Sequence, residues 1–229
     1  MGLNVAVFVP EGIVLAADSM AFIRTEDEGY VSSSERIFSC IDRFVISFVG
    51  NGYVGDMPYG YIVNNLLSTG IDRNISTAEF AKKTNSFISQ LKVEESLSVY
   101  VAGIDIIDNK VIPYLYLLDK GNVIRLNATS EECDAHLFYN YHAVGQSLWI
   151  NKLFLPTTFE DTHRQVTEEF AGANIDFRRF SLDQARSFAA FLVDTSAKME
   201  VYTQMRPTIN QCLSIAILKP FKVPELIKQ

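Results

Sequence analysis

The sequence predicts a layered α+β protein that forms a single domain over residues 1–229. Three observations support this prediction: two groups of strand patterns, a pair of helical patterns between them, and further helices before a final strand. No Pro- or Ser-rich linker and no repeat divides the chain, and residues 218–229 are expected to form an extended C-terminal tail. On these patterns alone, a helix–sheet–sheet–helix sandwich is one arrangement among several.

The first group of strands consists of two expected hairpins. Leu3–Val9 is apolar and rich in β-branched residues, and the turn residues 10–12 end it before a second strand at residues 13–17. Two further strands are expected within residues 37–49, because Asp42 and Arg43 interrupt an otherwise apolar run.

The two helices that follow carry apolar residues at helical spacing. The first is expected at residues 56–68, after a glycine-containing turn. The second begins with Ser76 and Glu79, whose spacing is that of a capping box, in which each residue satisfies a backbone N–H of the other.

The second half of the chain repeats the order of strands and then helices. Strand patterns are followed by three helical patterns, the last of which opens with a second capping box at Ser181 and Gln184. The predicted strands lie at residues 97–106, 111–118, 123–126, 137–144 and Leu213–Leu218, and the predicted helices at residues 147–154, 161–170 and 181–202.

Composition and charge restrict the class of protein. The net charge is −7 and no Lys/Arg cluster is present, which disfavours nucleic-acid binding. The three cysteines are far apart and outside any CxxC pattern, which is typical of free thiols in a reducing compartment. No apolar run approaches the roughly 20 residues that cross a bilayer, and no secretory signal begins the chain. We therefore expect a cytoplasmic protein that has no membrane partner.

Four segments, in order along the chain, resemble the proteasome β-subunits and their bacterial HslV-type relatives in the N-terminal-nucleophile (Ntn) hydrolase superfamily. These segments are GIVLAADS at residues 12–19, RIF leading to FVG at residues 36–50, VAGID followed by PYLY and DKG at residues 101–121, and AVG at residues 143–145. The resemblance covers about residues 2–218. It implies a four-layer αββα sandwich of two antiparallel sheets and a subunit that assembles into rings.

Members of that family use an N-terminal threonine, whose hydroxyl attacks a carbonyl while its own α-amine accepts the proton. A lysine paired with an aspartate sets the charge around that amine, and the backbone N–H of a glycine stabilises the oxyanion. The resemblance places Gly2 at the nucleophile position, Asp18 at the aspartate, Arg36 at the lysine and Gly50 at the oxyanion glycine. Glycine carries no hydroxyl or thiol, and an arginine stays protonated near neutral pH.

The supporting positions of the family motif also differ in this chain. The serine after the AVG turn becomes Gln146, and the late aspartate and serine align with Arg206 and Ile209. The resemblance therefore predicts a vestigial site and a proteasome-like β-type subunit that is catalytically inactive and serves as a scaffold or binding module.

Several alternatives remain open for this site. Asp18 and Arg36 are expected to form a buried ion pair, and Arg206 beside them would make either a larger ion network or an anion-binding pocket. A different class of function is an Ntn-fold hydrolase, of the threonine-peptidase family or an amide hydrolase, that activates water instead of a threonine. The expected partners are other copies of the chain or a homologous active subunit.

No cofactor and no metal site is expected. His136 and His142 lie six residues apart without a supporting carboxylate or cysteine spacing, so we interpret both as structural histidines.

Overall fold

The computed structural model describes residues 2–24, 29–50, 52–91, 97–127, 139–145, 147–154, 157–160, 167–170, 175–203 and 212–228. These residues form an α+β fold of two five-stranded antiparallel sheets with α-helices. The strands are β1 (Leu3–Val9), β2 (Gly12–Asp18), β3 (Met20–Arg24), β4 (Gly29–Ser33), β5 (Ile37–Cys40), β6 (Phe44–Val49), β7 (Tyr53–Val54), β8 (Met57–Pro58), β9 (Ser98–Ile107), β10 (Lys110–Asp119), β11 (Asn122–Arg125), β12 (Asn140–Gly145), β13 (Thr157–Glu160), β14 (Thr167–Phe170), β15 (Leu213–Leu218) and β16 (Glu225–Lys228). The helices are α1 (Tyr59–Ser68), α2 (Thr77–Gln90), α3 (Leu148–Phe154) and α4 (Leu182–Thr203), with a 3₁₀ turn at Phe177–Arg179.

The first sheet has the strand order β12–β1–β2–β15–β16, and the second has the order β11–β10–β9–β6–β5. Every neighbouring pair in the two sheets is antiparallel. In the first sheet Asn4 lies opposite Ala17, and Asp18 lies opposite Leu213. The start of β1, the end of β2 and the start of β15 therefore meet at one end of this sheet.

Strand β1 is apolar because both of its faces are buried. Its alternate residues Leu3 and Val5 pack against α4, whereas Ala6 and Phe8 face the second sheet. Successive side chains of a strand point to opposite faces, so a strand covered on both sides reads as a continuous hydrophobic run.

A separate hydrophobic cluster lies on the other face of the second sheet. There Phe44 of β6 stacks on Phe80 of α2 with ring centroids 4.4 Å apart, and Ile62 of α1 joins the same cluster. Three clusters therefore follow one another: α4 against the first sheet, the first sheet against the second, and the second sheet against α1 and α2.

Both predicted capping boxes are confirmed. The Ser76 hydroxyl accepts from the Glu79 N–H at 3.2 Å, and the Glu79 carboxylate accepts from the Ser76 N–H at 3.2 Å. At the start of α4, Gln184 N–H donates to the Ser181 hydroxyl at 3.2 Å and Ser181 N–H donates to the Gln184 side chain at 2.8 Å. Helix α1 begins at Tyr59, later than predicted, because Met57–Pro58 belongs to β8.

The helix predicted at residues 161–170 is wrong over its last four residues, and its residues 161–166 lie outside the described part of the chain. Thr167–Phe170 forms a strand that pairs with Thr157–Glu160. This stretch has too few apolar residues to distinguish a helical period from a strand period, and cross-strand pairing determines its structure. A hairpin that the sequence did not predict, β3 with β4, joins Asp18 to the segment that leads into β5. Within the C-terminal tail, β16 joins the first sheet by pairing with β15.

Candidate functional site

The candidate site lies at the end of the sheets where β1 begins and β2 ends. Gly2 precedes β1, Asp18 is the last residue of β2, and Arg36 directly precedes β5. The backbone fixes Arg36 beside the second sheet, because its carbonyl accepts from Phe48 N–H at 2.9 Å. At the base of the intervening hairpin, Ser34 N–H donates to the Ser19 carbonyl at 2.7 Å, which holds the segments after Asp18 and before Arg36 together.

The predicted ion pair between Asp18 and Arg36 is present. Arg36 Nη1 lies 2.9 Å from Asp18 Oδ1, and both side chains are 0% exposed. The same Oδ1 accepts the backbone N–H of Leu3 at 2.7 Å. Removing one member of such a pair leaves a charge buried without compensation, so the pair locks the start of β1, the end of β2 and the start of β5 together.

The Arg36 guanidinium lies directly against Gly2. A Cβ placed on Gly2 would overlap Nη1 and Cζ of Arg36 and lie 2.6 Å from Nη2. Gly2 is itself buried. The volume in which a side chain at residue 2 would begin is therefore filled by the side chain of Arg36.

Gly145 also lies close to Gly2. It lies opposite Leu3 in the first sheet and has a φ of 100°, which a residue with a side chain rarely adopts. A Cβ on Gly145 would overlap the Gly2 carbonyl oxygen and lie 3.1 Å from a methyl group of Val49. Gly145 is thus a glycine because the edge strand β12 passes too close to Gly2 for any side chain.

Gly50 follows β6 at the same end of the second sheet, one residue beyond Val49. The hydroxyl oxygen of Tyr59 and a methyl group of Leu97 lie on the side of Gly50 from which a side chain would project. Tyr59 is held there by its ring, which stacks on Phe48 at 4.5 Å.

A buried polar bridge between the two sheets was not predicted from the sequence. Asn4 Nδ2 donates to Ser47 Oγ at 2.7 Å and to the Phe48 carbonyl at 3.0 Å, and both Asn4 and Ser47 are 1% exposed. The signal was available in the sequence, since each residue is the lone polar side chain inside an apolar strand. The bridge connects β1 to the strand whose backbone holds Arg36.

The VAGID segment at residues 101–105 has a structural role that is independent of the site. The Asp105 carboxylate accepts from Thr77 N–H at 3.0 Å and from the Thr77 hydroxyl at 2.7 Å, which caps the start of α2. Arg43 adds an ion pair to Asp105 at 3.3 Å. Asp105 therefore fastens α2 to the second sheet and takes no part in the candidate site.

Three of the sequence-predicted positions, Gln146, Arg206 and Ile209, lie outside the described residues, as does His136. His142 is a structural residue in that its Nδ1 lies 2.6 Å from the Tyr100 hydroxyl across the sheet interface. Within the described part of the chain, no group of three or more His, Cys, Asp or Glu side chains is arranged to hold a metal ion. No helix among the described residues is long and apolar enough to cross a membrane.

These contacts limit the chemistry of the described arrangement. Residue 2 carries no nucleophile, and the Asp18 carboxylate has no exposed surface from which to activate water. What the arrangement does provide is a set of buried polar links that hold the ends of three strands together.

Comparison with known proteins supports the fold. No protein-family model and no curated protein matches the chain. Among solved structures, Anbu (ancestral beta-subunit) from Yersinia bercovieri superimposes with a TM-score of 0.62 at 16% identity, covering 99% of this chain and 87% of that one. Anbu from Hyphomicrobium sp. strain MC1 gives a TM-score of 0.63 at 16% identity over 99% of this chain and 86% of that one. A Gly-1 mutant of the Hyphomicrobium protein gives 0.62 at 14% identity, covering 100% and 88%.

At this level of identity the comparison shows a shared fold. It also corrects the family named from the sequence. The assignment to HslV-type subunits is wrong, because the three solved structures reported above are Anbu proteins. The motifs on which that assignment relied, such as the Ala-Ala-Asp end of β2, indicate the fold. They do not distinguish between the families that share it.

Proposed function

We propose that this chain is a proteasome-like subunit with the Anbu fold that has no threonine-type peptidase activity and acts through assembly, as a scaffold or binding module. The observation that carries the proposal is the position of Arg36. Its guanidinium fills the space beside Gly2 and is paired with Asp18 at 2.9 Å.

Threonine-type catalysis requires a hydroxyl on residue 2, free volume for that hydroxyl, and a neighbouring group that can exchange a proton. Gly2 lacks the hydroxyl, Arg36 occupies the volume, and an arginine does not release its proton near neutral pH. Three requirements of the reaction are therefore missing from the described residues.

The proposal includes the finer architecture. The three hydrophobic clusters support a four-layer αββα sandwich within one domain of residues 1–229, and cysteines outside any pairing pattern support a cytoplasmic location. The partners we propose are further copies of the chain or a homologous proteasome-like subunit.

A hydrolase that activates water is less well supported. It would need a carboxylate that reaches solvent or substrate, whereas Asp18 is 0% exposed and its Oδ1 accepts from both Arg36 and Leu3. A general base must approach the proton that it abstracts within hydrogen-bond distance. No contact among the described residues of this site favours that chemistry.

Two measurements test the proposal. Purified chain is incubated with a panel of fluorogenic peptides and amides, beside Asp18→Asn as a control for contaminating peptidases. We expect no turnover above that control, and turnover that Asp18→Asn abolishes would contradict the loss of catalysis. Light scattering coupled to size exclusion tests assembly, for which we expect a mass above the monomer's 25.7 kDa; a strict monomer would contradict it.

A further inference from the structure

We propose that the end of the first sheet opposite Gly2 is a two-fold contact surface for a second copy of this chain. We call it the Phe221 end, and it consists of Glu11, Asp183, Lys219, Phe221, Lys222 and Val223. The inference rests on the proposed self-association and adds the surface through which one contact is made.

The fold gathers these residues from three segments. The turn between β1 and β2 meets the start of α4, because Leu182 N–H donates to the Glu11 carboxylate at 3.0 Å. The start of β2 meets the end of β15, where Ile13 lies opposite Leu218 and Gly12 lies against the Leu218 carbonyl. The turn that follows β15 therefore lies beside the start of α4, at the end of the sheet remote from Asp18.

The Phe221 end contains a solvent-exposed aromatic side chain. Phe221 is 79% exposed and has a φ of 58°, and Val223 is 60% exposed. A bulky residue with a positive φ is a backbone outlier, and such outliers concentrate at functional positions. Exposed aromatic side chains are also enriched at protein–protein interfaces.

The Phe221 end carries charges of both signs. Asp183 and Lys222 are exposed, and neither forms an ion pair with another of the described residues. A two-fold contact brings the same patch of both copies together, so a patch that carries an exposed acidic group and an exposed basic group can pair each of them with the opposite charge of the second copy. This complementarity matters because the net charge of −7 makes copies of the chain repel one another elsewhere.

The test uses two charge reversals, Lys222→Glu and Asp183→Lys. Each variant alone places like charges opposite each other twice across the contact. We therefore expect light scattering to give each variant half the mass of the wild-type assembly. An equimolar mixture of the two variants places opposite charges at both positions, and we expect the wild-type mass to return. Phe221→Ser is expected to halve the mass as well. Tyr61→Ser removes a comparably exposed aromatic, 54% exposed on α1, and is expected to leave the mass unchanged.

The outcomes separate this inference from the proposed function. A wild-type chain that is monomeric at every concentration overturns the proposed self-association and the surface with it. A wild-type assembly whose mass is unchanged by Lys222→Glu and Phe221→Ser overturns the surface alone. A mixture that fails to regain mass overturns the pairing of Lys222 with Asp183 of a second copy.

Discussion

The guanidinium of Arg36 lies in the space where a side chain at Gly2 would begin. The two residues are 34 positions apart in the sequence, on segments that meet because Asp18 binds Arg36 and the first N–H of β1. The absence of a side chain at residue 2 and the presence of an arginine at residue 36 are therefore one structural feature. Each of the following predictions depends on a contact or a buried position that the fold creates between segments distant in the sequence.

Gly2→Ala is expected to lower the free energy of unfolding by about 1–3 kcal/mol, because the new methyl group would overlap a buried guanidinium. Gly60→Ala is the matched control, since its Cβ would lie 3.5 Å from the ring of Phe38, an ordinary contact. Chemical denaturation of both variants measures the difference. Equal stability of the two alanine variants would place Arg36 away from Gly2.

Arg36→Met is expected to lower the free energy of unfolding by about 3–5 kcal/mol, because it leaves the Asp18 carboxylate buried without its partner. Combining it with Asp18→Asn removes that charge, so the double variant is expected to be more stable than Arg36→Met. A double-mutant cycle in urea measures the coupling. Strictly additive effects would show that the two side chains do not interact.

Asp105→Ala is expected to destabilise the chain by more than Ser76→Ala does. Both substitutions affect the start of α2, and loss of the Ser76 cap alone costs about 1 kcal/mol. Asp105 is 6% exposed and accepts hydrogen bonds from the Thr77 backbone and hydroxyl, so its loss also leaves buried donors without a partner. Thermal unfolding ranks the two variants, and the reverse order would contradict a fastening role for Asp105.

Stability is expected to fall as the pH is lowered below about 6.5 because of His142. Burial lowers the pKa of His142 below its usual value of 6.5. The unfolded chain takes up a proton at this residue before the folded chain does, so the stability present above pH 6.5 is lost as the pH falls toward the folded pKa. Urea denaturation between pH 7.5 and 5.5 measures the slope, which His142→Gln is expected to flatten. An unchanged slope in the variant would assign the pH dependence to other groups.

Local features of the fold were readable from the sequence because nearby residues cause them. The capping boxes at Ser76 and Ser181 depend on residues three positions apart, and both predictions were correct. The helix prediction was wrong at residues 167–170 because the pairing of β13 with β14, and not a local period, determines the structure there. Hairpin β3–β4 was missed for the same reason.

The candidate site was only partly predictable. The resemblance brought Gly2, Asp18 and Arg36 to attention, and the ion pair followed from burying opposite charges in one place. The guanidinium fills the space beside Gly2 because three segments that are distant in the sequence meet there. Hydrophobic periodicity reports local structure only, so the sequence did not predict this contact. The Asn4–Ser47 bridge was partly predictable. The sequence shows that each residue is the lone polar side chain of its strand, but not that the two are hydrogen-bonded between the sheets.

The loss of the residue-2 nucleophile is tested most directly by intact-mass spectrometry of the wild-type chain after incubation with an activated peptide ester. A residue-2 nucleophile would retain the acyl group, because threonine-type catalysis passes through a covalent intermediate. We expect the mass to stay that of the unmodified chain. An acyl adduct mapped to the N-terminal peptide and absent from Asp18→Asn would contradict it.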